Sequence, residues 1–230
     1  MCYTSGRHPG LWGEKALRDD LVASVVEQLR IGKDAKLLEV GCASGFLAKA
    51  IAPSVGEYVG IDVSGPAVAV ARRLELSNGK FEVTDGQRID LPCDSFDAVL
   101  CYDVITNFPS VEEFASLLEE MIRVVKPGGR VMVGSIPDEE KKADAARLGE
   151  KVIEEYGAFE QPEESLRQRF YRWISRRLKE AEIQIICYTF DKDAVRNLLD
   201  GSLATVEIRD IHEKNPYFGT RFNAIWTKTS

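Results

Sequence analysis

The chain has 230 residues, 44% of them hydrophobic, and a formal net charge of −7. That length can bury a full core, and the acidity weighs against sustained binding to nucleic acid or an anionic membrane, whose phosphates the overall field would repel. No stretch approaches 18 consecutive apolar residues, and the N-terminus MCYTSGRHPG lacks a charged-then-apolar leader pattern, so a soluble, unexported, cytoplasmic protein is expected.

Over residues 13–29, Leu17, Leu21, Val25, Val26 and Leu29 recur at helical spacing and predict a first helix packed on the core. Strand and helix patterns then alternate. Strands are predicted at 36–40, 58–62 and 80–84, with helices at 45–51 and 65–76 between them. The run FDAVLCY (96–102) is almost continuously apolar, the mark of a strand buried on both faces. A helix at 111–125 is stopped by Lys126-Pro127-Gly128-Gly129, and a fifth strand follows at 130–136. Such alternation predicts an α/β, doubly wound sheet with helices on both faces.

The rhythm breaks at Pro137. Residues 139–180 read as helical and are long for a connection. Residues 139–164 hold nine acids against four bases, and residues 165–180 hold six bases against one acid. Two antiparallel helices of opposite charge, forming a lid, satisfy this pattern. A short strand (183–190), a helix from Asp191 and two strands (204–210 and 221–227) complete the chain, the last two close enough for an antiparallel hairpin. The organisation expected is an N-terminal arm and core (1–138), a helical lid insertion (139–182), and the end of the core (183–230).

The five cysteines form no CxxC pair, which argues against a disulfide framework or a structural zinc site. Cys42 and Cys101 fall at predicted strand ends and are read mainly as small buried hydrophobes.

The stretch LLEVGCASGFLAKA runs from strand to helix through a small-residue turn. A dinucleotide fold wants G-x-G-x-x-G there, but the middle glycine is Ala43 and the last position is Phe46, too large for close helix packing. Glu39, just before Gly41, would crowd a pyrophosphate and suits a ligand with a cationic amine. Asp62 ends the second predicted strand, where a carboxylate can accept both hydroxyls of a ribose. Asp85 ends the third, within reach of an adenine amine. Strand-end acids in series are stronger than any single turn, because parallel sheets bind ligands at their carboxyl ends.

On these residues the sequence resembles the class I S-adenosylmethionine-dependent methyltransferases, in particular their small-molecule branch. The resemblance is carried by LLEVGCASG (37–45), VGIDVS (59–64), TDGQRIDLPCDSFDAVLCYDVI (84–105) and MIRVVKPGGRVMV (121–133). It implies a Rossmann-like seven-stranded sheet, mostly parallel with an antiparallel last strand, and S-adenosyl-L-methionine as cofactor. It further implies that Glu39, Gly41, Cys42, Ala43 and Gly45 surround the methionine part. Asp62 and Val63 would hold the ribose, Asp85 and Gly86 the adenine, and Cys101 would lie near the sulfonium.

The implied reaction is methyl transfer to an oxygen, nitrogen or carbon of a small molecule, for which alignment and a dry pocket can replace a dedicated base. Many relatives carry a histidine soon after the fourth strand; here Thr106 stands about there. The catalytic candidates are therefore Asp103 and Tyr102, which could orient a nucleophile, and His212 in the final hairpin loop. The motif KNPYFG (214–219) is read as a tight turn with Tyr217 packing. The fourth strand lacks the paired Asp and Asn of catechol-type magnesium sites, and no metal is expected.

In the predicted lid, LRQRFYRWISRRLKE sets Arg167, Arg172, Arg176 and Lys179 mostly opposite an apolar face. One or two of its arginines facing the cleft would hold a carboxylate or phosphate of the acceptor. The N-terminal arm (Tyr3, His8, Trp12) could fold over the cofactor as a gate. A monomer or homodimer is expected. The alternatives are a non-catalytic cofactor-binding subunit, a protein or nucleic-acid methyltransferase and, least favoured, a nicotinamide-dependent oxidoreductase.

Overall fold

A computed structural model of the chain describes residues 15–84, 88–108, 111–156, 189–199 and 201–229. In chain order the elements are α1 (Lys15–Leu29), β1 (Lys36–Val40), α2 (Ala48–Ile51), β2 (Glu57–Asp62), α3 (Gly65–Ala71), β3 (Gly79–Val83) and β4 (Phe96–Tyr102). There follow α4 (Val111–Val124), β5 (Val125–Pro137), α5 (Lys142–Tyr156), α6 (Lys192–Arg196), β6 (Ala204–Asp210) and β7 (Arg221–Lys228).

The heptapeptide FDAVLCY is the central strand of a seven-stranded sheet with the order β3-β2-β1-β4-β5-β7-β6. Its alternate residues divide between two cores, as a period of two requires. Val99 and Cys101 pack on one face with Phe114, Leu118 and Met121 of α4. Ala98, Leu100 and Tyr102 pack on the other with Leu21, Val25 and Leu29 of α1. Each fully buried side chain of Leu or Val size contributes about 1.5–3 kcal/mol relative to exposure. Pairings β1–β2, β2–β3, β1–β4 and β4–β5 are parallel, whereas β7 runs antiparallel to both β5 and β6. The expected fold class, mostly parallel with a reversed last strand, is the one observed.

Several boundaries differ from expectation, among them the helix expected at 65–76, which ends at Ala71, and two differ for clear local reasons. Strand β5 begins at Val125, because Phe96 pairs with Val125 ahead of an irregularity in register. The Lys126–Gly129 turn is thus contained in the strand, with Gly128 at φ +75°. The helix expected from residue 45 shrinks to the four residues of α2, because residues ahead of it form a turn in which the Gly45 N–H donates to the Cys42 carbonyl.

Strand order reverses between β1 and β4, so a crevice opens at their carboxyl ends. The excursion after β5 starts and finishes at one point. Asp138 forms an isolated bridge with Phe190, and the Phe190 N–H donates to the Pro137 carbonyl at 2.9 Å. Lys192 then reaches back to Asp138, Nζ to Oδ2, at 2.6 Å. Of the predicted lid, α5 is described. Its second helix with Arg167, Arg172, Arg176 and Lys179, most of the predicted strand 183–190, and the N-terminal arm lie outside the described residues. Among the described residues, no helix is long and apolar enough to cross a membrane.

Candidate active site at the carboxyl ends of the strands

The turn after β1 is built on alternating left-handed residues: Gly41 at φ +80°, Ala43 at +45° and Gly45 at +77°. Gly41 is required twice over. Its φ disfavours a side chain, and a Cβ there would lie 2.3 Å from Val104 Cγ2. Ala43 adopts a conformation that costs an L-residue about 1 kcal/mol. It is held by Asp62, whose Oδ2 accepts the Ala43 N–H at 2.8 Å while Oδ1 accepts the Ser64 N–H at 2.8 Å. Each carboxylate oxygen keeps a lone pair beyond those bonds, and the carboxylate is oriented before any ligand arrives.

Asp62 lines a cleft of about 400 Å³ at the switch point, within the range of small-molecule sites. Of the residues singled out in the sequence, Gly41, Ala43, Asp62, Val63, Tyr102 and Asp103 converge on this cleft. Val63 is 63% exposed and presents an apolar surface beside the Asp62 carboxylate. Arg88 and Ile89 supply another part of its wall. That wall is tied down by Glu120, which accepts the Ile89 N–H at 3.0 Å, and by Arg123, which donates to the carbonyls of Ile89 and Leu91.

Glu39, Cys42, Gly45, Cys101 and His212 are not among the residues lining the cleft. Glu39 is buried and accepts the Tyr58 hydroxyl at 2.5 Å. Burial, and then the Glu39 carboxylate, raise the thiols of both Cys42 and Cys101 far above the usual range, so neither is a thiolate at neutral pH. His212 Nδ1 accepts the Lys214 N–H at 3.2 Å within its own loop. Asp85 and Gly86 lie outside the described residues. Among the described residues, no cluster of three His, Cys, Asp or Glu is placed to hold a metal ion.

At the rim, Asp103 is itself left-handed (φ +60°) and pairs with Arg221, Oδ1 to Nη1, at 2.8 Å. Arg221 Nη1 also donates to Ser135 Oγ at 2.9 Å, and its guanidinium lies 4.1 Å from the centre of the Tyr217 ring. The KNPYFG segment is the tight turn expected: the Phe218 N–H donates to the Asn215 carbonyl, and Asn215 Nδ2 donates to the Tyr102 hydroxyl at 3.3 Å. Sequence reading missed Arg221. Its signal was its place as a lone cation at the start of the strand that pairs with the end of β5.

A family profile described as "Methyltransferase domain" matches residues 38–133. A ubiquinone biosynthesis O-methyltransferase of Alkalilimnicola ehrlichii is 32% identical over 141 residues, covering 60% of this chain and 55% of that protein. The chain therefore spans about half the length of the curated relatives it matches. The N-methyltransferase NodS of Bradyrhizobium japonicum, solved with S-adenosyl-L-homocysteine, shares the fold with a TM-score of 0.59 at 17% identity, over 93% of this chain and 87% of that one. Magnesium protoporphyrin IX methyltransferase of Synechocystis PCC 6803, also solved with that product, gives a TM-score of 0.58 at 16% identity, over 94% and 84% of the two chains. Sheet order, the Asp62 turn and the matched segment agree: residues 38–133 match a methyltransferase domain, set in the fold that the solved methyltransferases share.

Proposed function

We propose that the protein transfers the methyl group of S-adenosylmethionine to a small-molecule acceptor. The observation that carries this reading is the Asp62 carboxylate, fixed at the switch point by the N–H groups of Ala43 and Ser64 and lining the cleft. A carboxylate so placed accepts the two ribose hydroxyls, and the exposed Val63 beside it offers an apolar face to the adenine ring. Among the described residues, the charged groups lining the cleft are Asp62, Asp103 and Arg88, a balance that suits a ligand with ammonium and sulfonium charges. Against a dinucleotide, α2 has only four residues and offers no long helix N-terminus for a pyrophosphate.

Bound S-adenosylmethionine supplies an electrophilic methyl carbon on a sulfonium. The protein's own part is alignment and exclusion of water. Tyr102, 3% exposed, and Asp103, held by Arg221, form the wall where the acceptor would approach. Asp103 orients the nucleophile's proton, and its bond to Arg221 fixes the direction of the carboxylate to do so. Calorimetry with S-adenosyl-L-homocysteine tests the reading: saturable one-to-one binding is expected, and its absence at millimolar concentrations would overturn it.

A further inference from the structure

A second cavity, of about 370 Å³, is lined by Arg221, the ion-pair partner of Asp103. Its apolar wall is the face of α5 carrying Ala145, Leu148 and Val152, at the i, i+3, i+7 spacing of one helix stripe. The core contributes Pro137, Tyr217 and Arg221, from the end of β5, the last loop and the start of β7. The charged residues lining it are Lys142 and Arg221, and no carboxylate lines it among the described residues.

Arg221 is built to receive an anion there. Its three hydrogen bonds, to Asp103 Oδ1, the Ser135 carbonyl and Ser135 Oγ, all leave from Nη1. Its Nε and Nη2, the side-on edge of the guanidinium, donate to nothing among the described residues. The Tyr217 ring, 4.1 Å from Cζ, restricts how that edge can move. A planar pair of donors spaced for two oxygens is the geometry a carboxylate matches with two parallel bonds.

We infer that this second cavity is the acceptor pocket, and that it takes an apolar carboxylic acid whose carboxylate is held side-on by Nε and Nη2 of Arg221. The inference rests on the methyltransferase reading for the word acceptor, but the binding itself does not. The pair with Asp103 joins the two sites: one guanidinium grips the anion in the second cavity while its Nη1 holds the carboxylate that lines the first. The anion specificity expected of the lid arginines is thereby placed on the core.

The test is calorimetry on the full chain with benzoate, cinnamate, 1-naphthoate and octanoate, each against its own carboxamide, with and without saturating S-adenosyl-L-homocysteine. At least one acid is expected to bind tenfold or more tightly than its amide. Ala145→Trp, which fills the cavity from the helix side, should abolish acid binding and leave homocysteine-product affinity and Tm within error. Arg221→Gln should bring acid and amide together. Acids and amides that bind alike, no binding by any acid in either condition, or acid binding that survives Ala145→Trp would each overturn the inference. Failure of the S-adenosyl-L-homocysteine titration with acid binding intact would overturn the methyltransferase reading alone.

Discussion

The two cavities meet at one ion pair and differ in construction and in charge. The cleft at Asp62 is made from the ends of neighbouring parallel strands, and its key carboxylate is oriented by backbone N–H groups. The second cavity is made from one helix face, a loop and the start of the last strand, and its key group is a guanidinium oriented by side chains and an aromatic ring. Among the described residues, two acids and one base line the first, and two bases and no acid line the second. A site fixed by backbone suits a ligand that every member of a fold must bind. A site fixed by side chains suits a ligand that differs from one protein to the next.

That contrast can be broken from the first cleft outward. The largest expected effect is that of Gly41→Ala. It forces a side chain into φ +80° against Val104, and should cost about 3 kcal/mol in denaturant unfolding, together with S-adenosyl-L-homocysteine binding. Asp62→Ala removes the oriented carboxylate. It should weaken that ligand about 30-fold by calorimetry, roughly 2 kcal/mol, while cinnamate binding stays as in the parent protein. A change below threefold would take Asp62 out of the ribose contact.

Smaller effects sharpen the comparison. The hydrogen bond from Arg123 holds the Glu120 carboxyl below its ordinary value, so its contribution is full above about pH 4.5 and fades as pH falls through the lowered value. Glu120→Gln should thus cost about 1 kcal/mol at pH 7, with the difference from the parent narrowing by pH 3.5 in urea titrations. A gap unchanged with pH would assign the loss to packing. The least effect is expected of Ala43→Gly. It relieves the left-handed alanine and should stabilise by about 0.5 kcal/mol at neutral pH, the gain being offset in part by a freer unfolded chain.

Legibility in the sequence follows the same division. FDAVLCY announced a strand buried on both faces because its six apolar residues all lie in one or the other of the two cores, and composition records that directly. Gly41, Ala43, Asp62 and Val63 were legible because each stands at a strand end, where chain direction alone decides what faces the crevice. Glu39, expected beside the ligand, is buried and accepts the Tyr58 hydroxyl, a strand's period of two setting it on the face away from Val40. Arg221 was invisible for another reason. Its partners Asp103, Ser135 and Tyr217 reach it from a strand end, a second strand and a loop, and no local pattern links such distant positions.

The meeting of Asp138 with Phe190 has a consequence for how such a protein can be changed. The described ends of the segment between these residues meet at one bridge, braced by Lys192, and β5 and β7 pair without it. The segment is therefore a replaceable cartridge seated in a fixed socket. Exchanging it would swap the α5 wall of the second cavity and leave Arg221, Tyr217 and the whole Asp62 cleft in place. A library of such cartridges would vary the apolar skeleton an enzyme accepts while preserving its demand for an acid, turning one scaffold into a set of catalysts that share a handle and differ in reach.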